Sequence, residues 1–311
     1  MTSNTRWFTM VGASAMLAIL AACSSEFSFE PARPDLDRVD TLQSGGVART
    51  FGVHLPPDYE TVASPVVILF HRTGGNGLDM RYLTDFDVDA NYYGFLAAYP
   101  DATSDWAYGC DCTTAEADGI DDVQFVVDLL DDLDADYGIN RDSVFVVGFS
   151  EGGFMAQKAV CDATDSFAGM ATVAATMPVP LAESCVPTRE IPVLMIHGTE
   201  DTVFPWDGAL DRGLESVLAA DTTAQFWATS NGCGDRLERQ YVMRDTYYSL
   251  DVYRDAFDAC PVSGNVLLYR MDGPGAVHGW PNGYFSASYE ISGFFVGEQS
   301  ELTAPASFPR E

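Results

Sequence analysis

The sequence predicts an α/β fold, a mostly parallel central sheet with helices on both faces, built as one domain. Three observations carry this. Short apolar runs alternate along the chain with segments of helical period, the pattern of repeated strand-helix-strand crossovers. Several runs are apolar at every position rather than at every second one, which marks strands covered on both faces. No repeat or composition break divides the 311 residues, and 47% of them are hydrophobic, enough for a single large core.

The first residues stand apart from that domain. "MTSNTRWFTMVGASAMLAILAAC" carries one arginine, then an apolar run from Met10 to Ala22 that is too short to cross a bilayer and ends in small residues. Residues 1–22 therefore read as a secretory signal. Leu20-Ala21-Ala22-Cys23 resembles the bacterial lipobox, in which the cysteine is lipidated after cleavage, so Cys23 is expected to carry a lipid. A plain signal with an incidental cysteine is the alternative. Residues 23–39 are polar and contain proline, as a tether would, and residues 40–311 form the folded domain.

Within that domain "TFGVHLPPDY" reads as an edge strand stopped by Pro56 and Pro57, and "SPVVILFHRTGGNG" as a buried strand that empties into a glycine-rich loop. "YYGFLAAYP" is a further apolar run. Between Gly119 and Tyr137 apolar residues fall at Ile120, Val123, Val126, Val127, Leu130, Leu133 and Tyr137, a helical spacing. Asp121, Asp122, Asp128, Asp131 and Asp132 are expected on its wet face. Gly138 ends that helix, and "SVFVVGF" follows as a strand. A helix over Glu151–Cys161, strands at "FAGMATVAA" and "IPVLMIHG", a helix over Leu210–Ala220, a strand at "NVLLYRM" and a closing helix at "SASYEISGFFV" complete the prediction.

The chain carries 46 acidic against 16 basic side chains, for a net charge of -30, and Lys158 is its one lysine. Nucleic acid and anionic lipid head groups are poor partners for such a surface, so contact with a membrane is expected only through the lipid on Cys23. Solubility outside the cell explains the charge; so does a salty medium, which screens the self-repulsion.

Seven cysteines less Cys23 leave an even number, which in an exported chain reads as disulfides rather than a metal site. Cys161 with Cys185 and Cys233 with Cys260 would each close a moderate loop, worth about 3 kcal/mol apiece. Cys110 and Cys112 are then left together. A bridge so short in sequence is strained, so free thiols or another pairing stay open for those two.

In a parallel sheet of this kind functional groups gather at the carboxyl ends of the strands. Four ends are informative. "SVFVV" runs into Gly148-Phe149-Ser150-Glu151-Gly152, a G-x-S-x-G between strand and helix, where a tight turn lifts a serine hydroxyl to the helix amino end. "IPVLMIHG" is followed by Asp201, an acid able to orient a histidine, with Glu200 and Asp207 as rivals. "NVLLYRM" is followed by the loop "DGPGAVHGWPNG", which delivers His278; His54, His71 and His197 are the other imidazoles. The order Ser150, Asp201, His278 is the one that this topology requires of a nucleophile, its acid and its base. The fourth end, His71-Arg72-Thr73-Gly74-Gly75, offers the Thr73 N–H as a partner to that of Glu151 in an oxyanion hole.

At these residues the chain resembles the secreted α/β-hydrolase family of polyhydroxybutyrate depolymerases, feruloyl esterases and acetylxylan esterases. The likeness runs from about Asp40 to Val296 through "VVILFHRTGGN", "DDVQFVVDLLDDLDADYGINRDSVFVVGFSEGG", "MIHGTEDTVFPW", "FWATSNGC" and "LYRMDGPGAVHGWP". It implies a serine esterase in which Ser150 attacks, His278 moves the proton and Asp201 orients it, with no metal or organic cofactor. It also supports the two longer cysteine pairings. "SDWAYGCDC" resembles a segment near the family's substrate cleft, which makes Trp106 a candidate binding residue, and Trp280 is another by its closeness to His278. Arg72 departs from the glycine usual after the histidine and places a cation beside the oxyanion loop, within reach of substrate. No Thr-rich linker follows, so small or oligomeric esters are expected over insoluble polyester. A binding or scaffold protein that has lost catalysis, and a serine peptidase of the same fold, are the alternatives.

Overall fold

The computed structural model describes residues 37–60, 62–208, 216–261 and 264–297. The expected signal and Cys23 lie outside them, as do most of the helix expected over Leu210–Ala220 and nearly all of the tether.

Among the described residues ten strands form one sheet in the order β1-β2-β4-β3-β5-β6-β7-β10-β9-β8. Its centre is parallel: β4 (Leu96–Pro100), β3 (Val66–Phe70), β5 (Val144–Phe149), β6 (Gly169–Val173), β7 (Val193–Gly198) and β10 (Val266–Asp272). Their side chains sort by parity. Val66, Ile68 and Phe70 of β3 enter one core cluster, while Val67 and Leu69 enter the other. Both faces are therefore apolar, which is why the run does not alternate.

The first face is covered by α4 (Asp122–Tyr137), α5 (Glu151–Ala163) and α7 (Ala220–Ser230), through Phe125, Leu129, Met155, Ala159 and Trp227. The second is covered by α1 (Gly77–Thr84), α2 (Phe86–Tyr93) and α8 (Ala287–Phe295), through Met80, Phe86 and Ile291. Two short helices, α3 (Thr114–Ala117) and α6 (Val179–Ser184), lie in connections.

The structure differs from the sequence reading at several places. Residues 216–219 of the helix expected over Leu210–Ala220 are not helical, and α7 begins only at Ala220 and runs to Ser230. β2 (Val47–His54) lies between β1 and β4, so it is interior; β1 (Asp37–Ser44) folds back on it through Gly45 and Gly46 and takes the edge. β1 also starts at Asp37, inside the segment expected to be tether. At the other edge, β8 (Gln240–Asp245) and β9 (Leu250–Ala256) form an antiparallel hairpin that the apolar runs did not announce, because β8 is mostly exposed. In α4, Asp122 does not face water. It is 1% exposed and pairs with the equally buried Arg49 at 2.6 Å, while the Ala107 N–H donates to its other oxygen.

Among the described residues there are three disulfides. Cys161–Cys185 and Cys233–Cys260 are the longer pairs expected, and Cys110–Cys112 closes the short ring. The Glu116 carboxylate accepts hydrogen bonds from the backbone N–H groups of Gly109, Cys110, Cys112 and Thr113, so the turn holding that ring is fixed independently of its sulfurs.

Candidate active site

Ser150 stands at the junction of β5 and α5 with φ 58° and ψ -129°, a region that costs a non-glycine residue roughly 1–3 kcal/mol. The glycines on either side explain how the chain sustains it. A β-carbon on Gly148 would lie 2.0 Å from the Gly152 carbonyl oxygen, and one on Gly152 would lie 2.2 Å from that of Phe70. The turn is thus closed onto itself and onto the end of β3, and no side chain fits at either place.

Two loops bring the partners. The loop after β10 carries His278, whose Nε2 lies 2.9 Å from Ser150 Oγ and whose Nδ1 lies 2.8 Å from Asp201 Oδ2. Asp201, after β7, is fully buried at its side chain, and its Oδ1 accepts from the N–H groups of Val203 (2.8 Å) and Phe204 (2.9 Å). Those donors hold one oxygen and so fix the second toward the imidazole. Hydroxyl, imidazole and carboxylate therefore form one hydrogen-bonded line, with the Phe149 ring stacked on the imidazole. Such a line can withdraw a proton from the serine while keeping the imidazolium oriented.

The rival groups are engaged elsewhere. Glu200 and Asp207 are exposed. His197 is fully buried behind Asp201 with Nε2 2.8 Å from the Phe204 carbonyl oxygen, and burial lowers its pKa, which keeps it neutral. His71 accepts from the Ala102 N–H, and burial lowers its pKa too. His54 faces Asp37 and Asp87. Those two acids and His54 form the one cluster of uncombined metal-type ligands among the described residues, but the Arg81 guanidinium pairs with both carboxylates and supplies the cation itself.

A pocket of about 130 Å³ opens beside Ser150, lined by Thr73, Tyr108, Glu151, Phe154, Pro178, Val203, Phe204 and Val217. Thr73 and Glu151, the expected oxyanion donors, both face it. The expected binding tryptophans do not. Trp106 is completely buried, packed on Phe70 and His71, and donates to the His71 carbonyl at 2.9 Å; it supports the β3 loop from beneath. Trp280 is 5% exposed and donates to Ser288, so it ties the His278 loop to α8. Arg72 is exposed, lies outside the pocket lining, and donates to the Thr73 carbonyl at 3.3 Å.

The sequence reading also missed what anchors the His278 loop. Asp245, fully buried at the end of β8, accepts from Tyr247 and Tyr248 in its own turn and from the Phe285 N–H at 3.0 Å, while the Tyr248 hydroxyl donates to Asn282. The stretch Asp245-Thr246-Tyr247-Tyr248 between two half-polar runs is a hairpin signal that could have located this turn.

Comparison with known proteins finds esterases among those similar to this chain. Residues 111–218 match the Phospholipase/Carboxylesterase family. The chain is 31% identical over 218 residues to "Putative esterase NocK" of Nocardia uniformis subsp. tsuyamanensis, covering 68% of this chain and 61% of that protein. It is 26% identical over 182 residues to feruloyl esterase B of Piromyces equi, covering 55% of this chain and 33% of the other. It therefore spans less than two thirds of the length of either relative. Among solved structures, an acetyl xylan esterase from Aspergillus awamori superposes with a TM-score of 0.59 at 13% identity, over 83% of this chain and 99% of that one.

Proposed function

We propose, from the premise that this chain has an α/β-hydrolase fold and resembles esterases in sequence, that it is an exported serine esterase acting through Ser150, His278 and Asp201. The observation that carries the reading is the unbroken contact from Ser150 Oγ through His278 to Asp201, at 2.9 and 2.8 Å.

In the first half-reaction His278 Nε2 takes the hydroxyl proton as Ser150 attacks the ester carbonyl. The negative oxygen that forms is met by the backbone N–H groups of Thr73 and Glu151, and collapse expels the alcohol with the proton from His278. Water then repeats the sequence on the acyl-enzyme and releases the acid. The imidazole must be neutral to begin.

The pocket favours short acyl groups. Its volume of about 130 Å³ is well below the ~300 Å³ or more of sites that enclose a drug-sized ligand. Acetyl and hydroxybutyryl esters therefore suit it better than feruloyl esters. Three disulfides and the apolar amino-terminal run support export, with a lipid on Cys23 as the anchor to a membrane. The acidic surface supports a neutral ester, rather than nucleic acid, as partner.

Ser150→Ala keeps the fold and lowers kcat on p-nitrophenyl acetate by about 10⁴-fold or more. Turnover by that variant at the parent rate would remove Ser150 as the nucleophile.

A further inference from the structure

The turn after β7 that carries Asp201 runs on to a peptide with little to hold it. That peptide joins Phe204 to Pro205, and proline has no N–H, so it can be anchored only through the Phe204 carbonyl oxygen. Much depends on Phe204 staying in place. Its N–H is one of the two donors to Asp201 Oδ1, at 2.9 Å, and its ring meets the His278 imidazole edge-on at 5.5 Å while packing on Phe154 at 4.7 Å in the pocket wall.

His197 supplies the anchor. It is the penultimate residue of β7 and pairs with Arg270 of β10, so the sheet fixes its backbone. From there its Nε2 reaches the Phe204 carbonyl oxygen at 2.8 Å. A carbonyl oxygen can only accept, so this nitrogen carries the ring proton; it also lies 3.7 Å from Asp201 Oδ2, the oxygen that faces His278. The ring is completely buried, and its other nitrogen, Nδ1, has no hydrogen-bond partner among the described residues. A buried polar atom without a partner carries a desolvation cost that a leucine would avoid. What a leucine could not make is the bond to Phe204.

We propose that His197 is a positioning residue for the acid of the triad: its Nε2–H pins Phe204, and Phe204 in turn holds Asp201 against His278. This rests on the esterase reading of the site. His197 lies outside the pocket lining, so it acts on the reaction through these neighbours and not by touching substrate.

The test is kinetic, on p-nitrophenyl acetate, with kcat counted per site that a fluorophosphonate labels so that misfolded chains drop out. His197→Leu fills the same space without a donor; kcat falls about tenfold with KM within a factor of about two, since the orientation of Asp201 matters to the transition state and not to ground-state binding. His197→Gln, whose amide N–H can reach the same carbonyl, stays within about threefold of the parent. In an Asp201→Asn chain, His197→Leu costs less than about twofold more, the signature of a residue that acts through the carboxylate. Parent-like kcat in His197→Leu, a raised KM at parent kcat, a His197→Gln chain tenfold slower than the parent, or a full tenfold loss in the Asp201→Asn background would each overturn the proposal while leaving the esterase reading intact. If His197→Leu does not fold, the His197→Gln result decides alone. A parent chain with no ester turnover would overturn both.

Discussion

At the residue scale the site depends on a few side chains whose surroundings, not identities, decide their work. Four imidazoles are present, and burial or ion pairing withdraws three of them from the pocket, leaving His278 against Ser150. Local environment also predicts a pH effect remote from the chemistry. Asp89, in the first turn of α2, has its pKa raised to about 6 by desolvation and then by the neighbouring Asp85. Between the ordinary carboxylate range and that value the folded chain holds a proton that the unfolded chain has lost. This contribution to stability is present in acid and disappears as pH rises through about 6. Asp89→Asn should therefore raise the melting temperature at pH 8, and thermal melts should show the gain shrinking to nothing near pH 4. Ser150, Asp201 and His278, which the structure brings into one hydrogen-bonded line, could be picked out in the sequence because each lies in the segment that leaves the carboxyl end of a strand. Trp106 and Trp280 were misread because nearness along the chain says nothing about which side of a loop a ring takes. The pocket wall was illegible for a similar reason: Tyr108, Phe154, Pro178 and Val217 meet there from four separate segments.

At the element scale, strands that run apolar throughout were easy to place and half-polar ones were not. β3 and β5 carry buried side chains to both faces, so composition alone marks them. β8 has one buried residue of six, and the hairpin it forms was missed although its turn anchors the His278 loop. Asp122 shows the limit of a helical wheel. Periodicity places it beside outward-facing acids, but it is the first residue of α4, where the helix meets β2, and Arg49 with its guanidinium 3.8 Å over Phe125 draws it inward. Removing one member of so buried a pair strands the other charge. Asp122→Ala should destabilise the chain by about 3–5 kcal/mol in urea unfolding, whereas replacing both partners, Arg49→Met with Asp122→Leu, should cost far less. Equal losses in the two would show that the pair's charge is not what matters.

At the scale of the whole molecule the dominant physical fact is a net charge of -30. Exposed ion pairs such as Arg141–Asp131 each contribute about 1 kcal/mol at most, so screening them loses little. Screening the mutual repulsion of 46 acids gains more, because the Debye length falls from about 10 Å at 0.1 M salt to about 3 Å at 1 M. The melting temperature is therefore expected to rise as NaCl is increased from 0.1 to about 2 M; a steady fall would show that ion pairs, not repulsion, govern this surface. The fold as a whole was legible because a parallel sheet with right-handed crossovers admits few arrangements once its strands are found, and that same restriction orders the three strand ends at one rim.

The central claim, that this rim activates a serine, is tested most directly by reaction with a fluorophosphonate followed by mass spectrometry of the peptides. One adduct is predicted, on Ser150, formed rapidly by the parent chain, much more slowly by His278→Ala and not at all by Ser150→Ala. An unlabelled parent chain, or an adduct on any other residue, would contradict the account.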